Sequence, residues 1–213
     1  MRLIAGELDI GLPDITSDEL GDFLSATKFK YEQSKAYIEE QIYFERNGRG
    51  YPWDRRVLEF NGSTYFNYND IPPFNKLIEV IDLLPIIKPS RVILLLSQCK
   101  QLDYDFNFHF DSDAGYGFRL CFGLEPGKTF LEMSKLKSEF VAHGIKRKKI
   151  TQDMVEDKVY EIIPTKSNTV FCINGINYPH RVPVNNSTSR FVLIVMGQLT
   201  SICNLKFLRK IEE

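Results

Sequence analysis

Histidine is scarce in this sequence, with three among 213 residues, and tryptophan occurs once. Any imidazole chemistry therefore has to come from His109, His143 or His180. The four cysteines, Cys99, Cys121, Cys172 and Cys203, show no CxxC spacing. Three of them sit inside apolar, strand-like segments, which reads as buried free thiols in a reducing compartment. No apolar run approaches the ~20 residues of a membrane span; the longest, Val92–Leu96 and Phe191–Met196, are of strand length. The opening Met1–Asp9 meets charge too early for a signal peptide, so a cytoplasmic protein is expected. Charge of one sign is lacking as well: the formal net charge is −1. That removes any general electrostatic attraction to nucleic acid or an anionic membrane. The single basic run, Lys146–Lys149, is followed by Asp153, Glu156 and Asp157 and reads as a solvated face. There is no internal repeat and no low-complexity tract.

What remains is the composition of one ordinary globular domain, 43% apolar and 26% charged. Residues 1–89 read as N-terminal strands and helices that pack on a core. Leu3–Ile10 alternates loosely and predicts a strand. Thr16-Ser-Asp-Glu19 has the form of a capping box ahead of Leu20, Phe23 and Leu24, and predicts a helix start. Tyr31–Arg46 fits helix or strand, and Asn47–Asp54 is a loop by its Gly and Pro content. Arg56–Phe60 and Thr64–Asn67 predict a hairpin across Asn61-Gly-Ser63. After Pro72 and Pro73, apolar Phe74, Leu77, Ile78, Ile81 and Leu84 recur at helical spacing.

From residue 90 to 200 short strands dominate: Arg91–Gln98, Tyr104–Asp111, Gly117–Leu124, Lys128–Met133, Lys158–Ile163, Thr169–Ile173, His180–Val184 and Arg190–Leu199. Residues 134–157 are polar and read as a helical or mobile insertion whose main apolar points are Phe140, Val141 and Ile145. About eight strands separated by turns predict a mainly β fold with flanking helices, a double-stranded β-helix or jelly roll, rather than a parallel α/β sheet.

One strand stands out. In Tyr104–Asp111 the aromatics Tyr104, Phe106, Phe108 and Phe110 alternate with Asp105, Asn107, His109 and Asp111. Side chains two apart in a strand share a face, with Cα atoms roughly 6–7 Å apart. His109 and Asp111 can thus close on one ion, and His180 from far along the chain would complete a two-histidine, one-carboxylate face, a donor set suited to non-haem Fe(II). If Asn185–Ser189 is a hairpin loop, Val184 faces Arg190 and His180 faces Ile194. Arg190 would then lie four strand residues, about 13 Å, from His180. An arginine fork at that distance suits the far carboxylate of a small dicarboxylate. A turn histidine or a strand-end arginine each has an ordinary structural explanation; the combination is what points to a site. His143, in the charged insertion, is read as lying outside it.

The order His109-Phe-Asp111, then His180 about seventy residues on, then Arg190, resembles the Fe(II)/2-oxoglutarate-dependent oxygenase superfamily. Its aspartyl/asparaginyl β-hydroxylase-like branch, which includes hydroxylases of free amino acids such as proline, is the most similar. There the arginine runs straight into an apolar strand, as Arg190-Phe-Val-Leu-Ile-Val-Met does here. A second arginine in an R-L-x-x-G-L strand is also similar to Arg119-Leu-Cys-Phe-Gly-Leu124. Some vertebrate members lack the carboxylate ligand, so the presence of Asp111 is nearer the amino-acid hydroxylases.

The resemblance covers roughly residues 90–200 and implies a single oxygenase domain over 1–213. It implies Fe(II) on His109, Asp111 and His180, with 2-oxoglutarate chelated there and its far carboxylate on Arg190. It further implies O2 as oxidant, succinate and CO2 as products, and hydroxylation of a C–H bond. Arg119 is expected to bind the co-substrate, to bind an acidic group of the substrate, or to pair on the sheet surface. A free amino acid, a small polar metabolite or a peptide side chain is the expected substrate; a nucleobase fits the motif but not the neutral charge. Two other readings stay open: a cupin-like metalloenzyme that needs no 2-oxo acid, and a metal-binding or sensing module without turnover.

Overall fold

The computed structural model describes residues 2–16, 18–19, 22, 54–60, 63–64, 74–97, 108–111, 116–141, 150–183 and 190–213. The segment Tyr31–Arg46, the loop carrying Trp53, the first half of the aromatic–polar strand, His143 and the Asn185–Ser189 loop lie outside the described residues.

The described residues form two antiparallel sheets. The larger has eight strands in the order β11-β1-β8-β5-β10-β4-β2-β3. Its members are β1 (Leu3–Leu8), β2 (Asp54–Phe60), β3 (Ser63–Thr64), β4 (Ile86–Ser97), β5 (Gly117–Phe122), β8 (Thr169–Ile173), β10 (Arg190–Leu199) and β11 (Phe207–Glu212). The smaller has β6 (Leu131–Met133), β7 (Tyr160–Ile162) and β9 (His180–Arg181) in the order β7-β6-β9. Beyond β9, His109 bridges antiparallel to His180, so residues 108–111 continue the smaller sheet.

Burial explains why the central strands read as unbroken apolar runs. All six residues of β5 and all five of β8 are buried, because the larger sheet is covered on both sides. On one side Phe118, Leu120, Phe122, Cys172 and Val195 meet Leu77, Val80, Ile81 and Leu84. Leu77 comes from a 3-10 turn over Phe74–Leu77, Val80 and Ile81 from the helix α1 (Ile78–Asp82), and Leu84 follows it; the helical spacing predicted Leu77, Ile81 and Leu84 but not Val80. On the other side Cys121, Phe171, Ile173, Val192 and Ile194 meet Leu131, Met133 and Ile162 of the smaller sheet. Arg119 alternates with Leu120 and so belongs to this inner face.

Several local expectations appear as such. Thr16 and Glu19 form the reciprocal capping box: the Glu19 amide donates to Thr16 Oγ1 at 3.2 Å and the Thr16 amide donates to Glu19 Oε2 at 2.9 Å. β2 and β3 pair as a hairpin, Phe60 opposite Ser63. The Glu125-Pro-Gly127 turn has Gly127 at φ +81°, a conformation open to glycine at no steric cost.

The insertion contains a short helix, α2 (Ser138–Val141), in which Val141 is 63% exposed; Ile145 is outside the described residues. Ile150 and Val155 pack against Phe108. One expectation is corrected: the pairing of His180 with Ile194 does not form. β9 belongs to the smaller sheet, where His180 pairs with Met133 and His109, while Ile194 pairs with Ile93 and Arg119 in the larger. β9 and β10 are neighbours in sequence but belong to different sheets, so they form no hairpin. β11, which pairs with β1 at the sheet edge, was not anticipated at all.

Candidate metal centre

The two imidazoles meet because they are a cross-strand pair. The His109 and His180 amides each donate to the other's carbonyl at 2.9 Å, and residues directly opposite in this way project to the same side. Their ring centroids are 4.4 Å apart. Asp111, two residues on, shares that side, and its amide donates to the Gly175 carbonyl at 2.9 Å. One donor atom from each of His109, Asp111 and His180 lies within 4.8 Å of the other two. His180 is buried, Asp111 partly so, and His109 is exposed, so the group opens to solvent on one side.

Position 180 is fixed from several directions. The Asn174–Asn177 turn closes through the Tyr178 amide, which donates to the Asn174 carbonyl at 3.1 Å, and Asn174 Nδ2 donates to the Leu3 carbonyl at 3.1 Å. The Ser134 amide donates to the Pro179 carbonyl at 3.0 Å. On the outer face of the same pair of segments, Arg181 Nε donates to Glu132 Oε2 at 2.6 Å while its guanidinium lies 4.5 Å from the Phe108 ring.

Gly175 is a site residue that the sequence reading missed. A Cβ there would strike the Asp111 carboxylate, stand 2.8 Å from Asp111 Cγ and 3.0 Å from His180 Cε1. The only signal for it was the Asn174-Gly175 dipeptide ahead of Tyr178-Pro-His180, which sequence alone reports merely as a turn.

Arg119 reaches the same point from the larger sheet. Its Nη2 donates to Asp111 Oδ2 at 2.9 Å and lies 3.1 Å from His180 Nε2. A guanidinium can only donate, so His180 Nε2 is the acceptor and the ring proton sits on Nδ1. Among the described residues that Nδ1 is buried and without a hydrogen-bond partner, as is Arg119 Nη1. Burial pulls the His180 imidazole down to about 3, against the opposing attraction of Asp111, so the ring is neutral at neutral pH. Burial alone would raise the Asp111 carboxyl, but Arg119 and the two imidazoles more than offset it and hold the group well below the usual carboxylate range.

Those features are what a divalent ion requires: a neutral imidazole with its Nε2 lone pair turned inward, an ionised carboxylate beside it at 3.6 Å, and a second imidazole within reach. Arg190 enters through register. It opens β10 opposite Ser97, four residues from Ile194, and Ile194 pairs with Arg119. β9 and β10 lie in different sheets, so the direct offset expected between His180 and Arg190 does not form; the register links Arg190 to Arg119 instead, through Ile194. Among the described residues, no helix is long and apolar enough to cross a membrane. Compared with known proteins, the chain matches no family model and no curated sequence.

Proposed function

We propose that this chain is an Fe(II)- and 2-oxoglutarate-dependent dioxygenase that hydroxylates a C–H bond of an amino acid, a peptide side chain or a small polar metabolite. The observation that carries the reading is the convergence of His109, Asp111 and His180, with their exposed side open, between two antiparallel sheets. Strand order supports a jelly-roll core. From β4 to β10, counting residues 108–111 as a strand, the chain alternates so that β4-β10-β5-β8 are neighbours in one sheet. Residues 108–111, β9, β6 and β7 are neighbours in the other. Each antiparallel pair is nested inside the previous one, as a double-sheet jelly roll requires.

Within this proposal the iron would be held by His109, Asp111 and His180, and when bound it activates O2 at the expense of 2-oxoglutarate, giving succinate and CO2. The protein's share is placement and charge. Asp111 supplies the negative charge and is already ionised at neutral pH. His180 presents a fixed tautomer. Gly175 keeps the space beside both clear. Arg190 is assigned the far carboxylate of 2-oxoglutarate, since a planar fork binds a carboxylate in two places and stays charged when desolvated. Ile194 and Met196 belong to the apolar layer between the sheets, which limits water around the reacting groups. The carboxylate ligand favours hydroxylation over halogenation, which needs that position for halide. Buried free thiols at Cys121 and Cys172 suit the cytoplasm, the compartment we assign.

The test is succinate formation from 2-oxoglutarate with Fe(II) across a panel of free amino acids, polar metabolites and peptides. Iron-dependent succinate, stimulated by at least one member, is expected. No iron-dependent consumption of 2-oxoglutarate under any condition would refute the proposal.

A further inference from the structure

We infer that Arg119 competes with a divalent ion for His180, and that the ion binds there by displacing the guanidinium from the imidazole. The inference rests on reading His109, Asp111 and His180 as a metal centre, and it concerns what the ion meets as it binds.

The geometry is specific about which atoms are shared. One nitrogen, Nη2, stands 2.9 Å from Asp111 Oδ2 and 3.1 Å from His180 Nε2. Both partners offer lone pairs to it; for His180 this is the one ring lone pair with which a neutral imidazole would bind an ion, while Asp111 keeps its other oxygen, Oδ1, 3.6 Å from His180 Nε2. A lone pair serves one acceptor interaction of this strength at a time, and a guanidinium beside a divalent ion is a like-charge contact in a site of low water content. Occupation by Arg119 and occupation by metal therefore exclude each other at His180.

The arrangement also carries a cost. Arg119 is 4% exposed, yet among the described residues its Nη1 has no hydrogen-bond partner, so holding Nη2 at the ligands leaves a charged donor group half satisfied. Position 117 on the same strand is a glycine, and Nη1 lies 3.4 Å from where a Cβ there would stand, with Met196 Cγ at 3.5 Å from the same point. In return, the partly buried Asp111 carboxylate keeps a positive neighbour. Arg119 is thus a competitor of the ion at His180.

Anaerobic calorimetric titration of Fe(II) into the full chain and into Arg119→Met, with thermal unfolding of each with and without Fe(II), tests this. Removing the competing charged hydrogen bonds should tighten Fe(II) binding on the order of 10- to 100-fold. The metal-free variant should melt below the wild type, and the stabilisation by Fe(II) should be larger. Equal or weaker Fe(II) binding by Arg119→Met overturns the inference. Should that variant not fold without metal, Arg119→Lys is measured instead. It keeps the charge but cannot span both partners, so a smaller gain is expected and equal or weaker binding again overturns the inference. The two layers separate cleanly: a wild type that binds Fe(II) and loses it on His180→Ala, beside an Arg119→Met that binds no better, removes the role of Arg119 and leaves the centre. Absence of binding in wild type and variant alike removes both.

Discussion

Asp111 and Gly175 are joined twice, once through the Asp111 amide on the Gly175 carbonyl at 2.9 Å and once through a carboxylate that fills the space a residue-175 side chain would need. A methyl group there must push Asp111 away from His180. Gly175→Ala should therefore lower Fe(II) affinity by about tenfold or more, as loss of support around metal ligands commonly does. Far-UV circular dichroism should show the β fold retained, and titration with Fe(II) gives the affinity. Unchanged affinity would mean that Asp111 is not a ligand in this position.

Asp111 itself is the partner of a buried cation, the two side chains being 11% and 5% exposed. Asp111→Ala leaves Arg119 uncompensated, so stability should fall by about 3–5 kcal/mol in denaturant unfolding. Substrate-stimulated succinate formation should disappear with it. Full activity in this variant would place the metal elsewhere.

Arg190 bears on the co-substrate alone. Arg190→Met should raise the 2-oxoglutarate concentration needed for half-maximal succinate formation steeply while leaving Fe(II) binding intact. An unchanged requirement would show that the distal carboxylate is held by another residue.

Acid should weaken the fold from the imidazole side first. Unfolded, His180 titrates near its ordinary value of about 6.5; folded, burial pulls it down to about 3. Between those values the unfolded chain binds more protons, so stability falls as pH drops, with a slope approaching about 1.4 kcal/mol per pH unit for this one group. Asp111 acts in the same sense but lower: its folded value is depressed, so its contribution is present above about pH 4 and is lost only below. Urea midpoints of the metal-free protein at about pH 7.5 and about pH 5 measure the imidazole part. His180→Asn should flatten that interval, and a wild-type midpoint that does not move between them would contradict the burial of a neutral ring.

The legible part of this protein was local. The capping box at Thr16–Glu19, the hairpin at Asn61-Gly-Ser63 and the spacing of Leu77, Ile81 and Leu84 are each decided within a few residues, and the sequence carries them. His109 and Asp111 were legible for the same reason, since a strand alternates whatever surrounds it. The connection of His180 was not. Its true partners, Met133 and His109, lie 47 and 71 residues away, and only the crossing of the chain between sheets selects them over the nearby Ile194. Gly175 was invisible because what it accommodates, the Asp111 carboxylate, arrives from elsewhere in the chain. Arg119 was noticed but not placed: its strand is buried on both faces, so the apolar pattern gives no sign of which face a lone arginine occupies.

The most direct test of the account is anaerobic visible absorption of the purified protein with Fe(II), before and after 2-oxoglutarate is added. A weak charge-transfer band that needs both components, persists in Arg119→Met and vanishes in Asp111→Ala is the expected result. A protein that takes up no iron, or one whose iron spectrum is indifferent to 2-oxoglutarate, would contradict it.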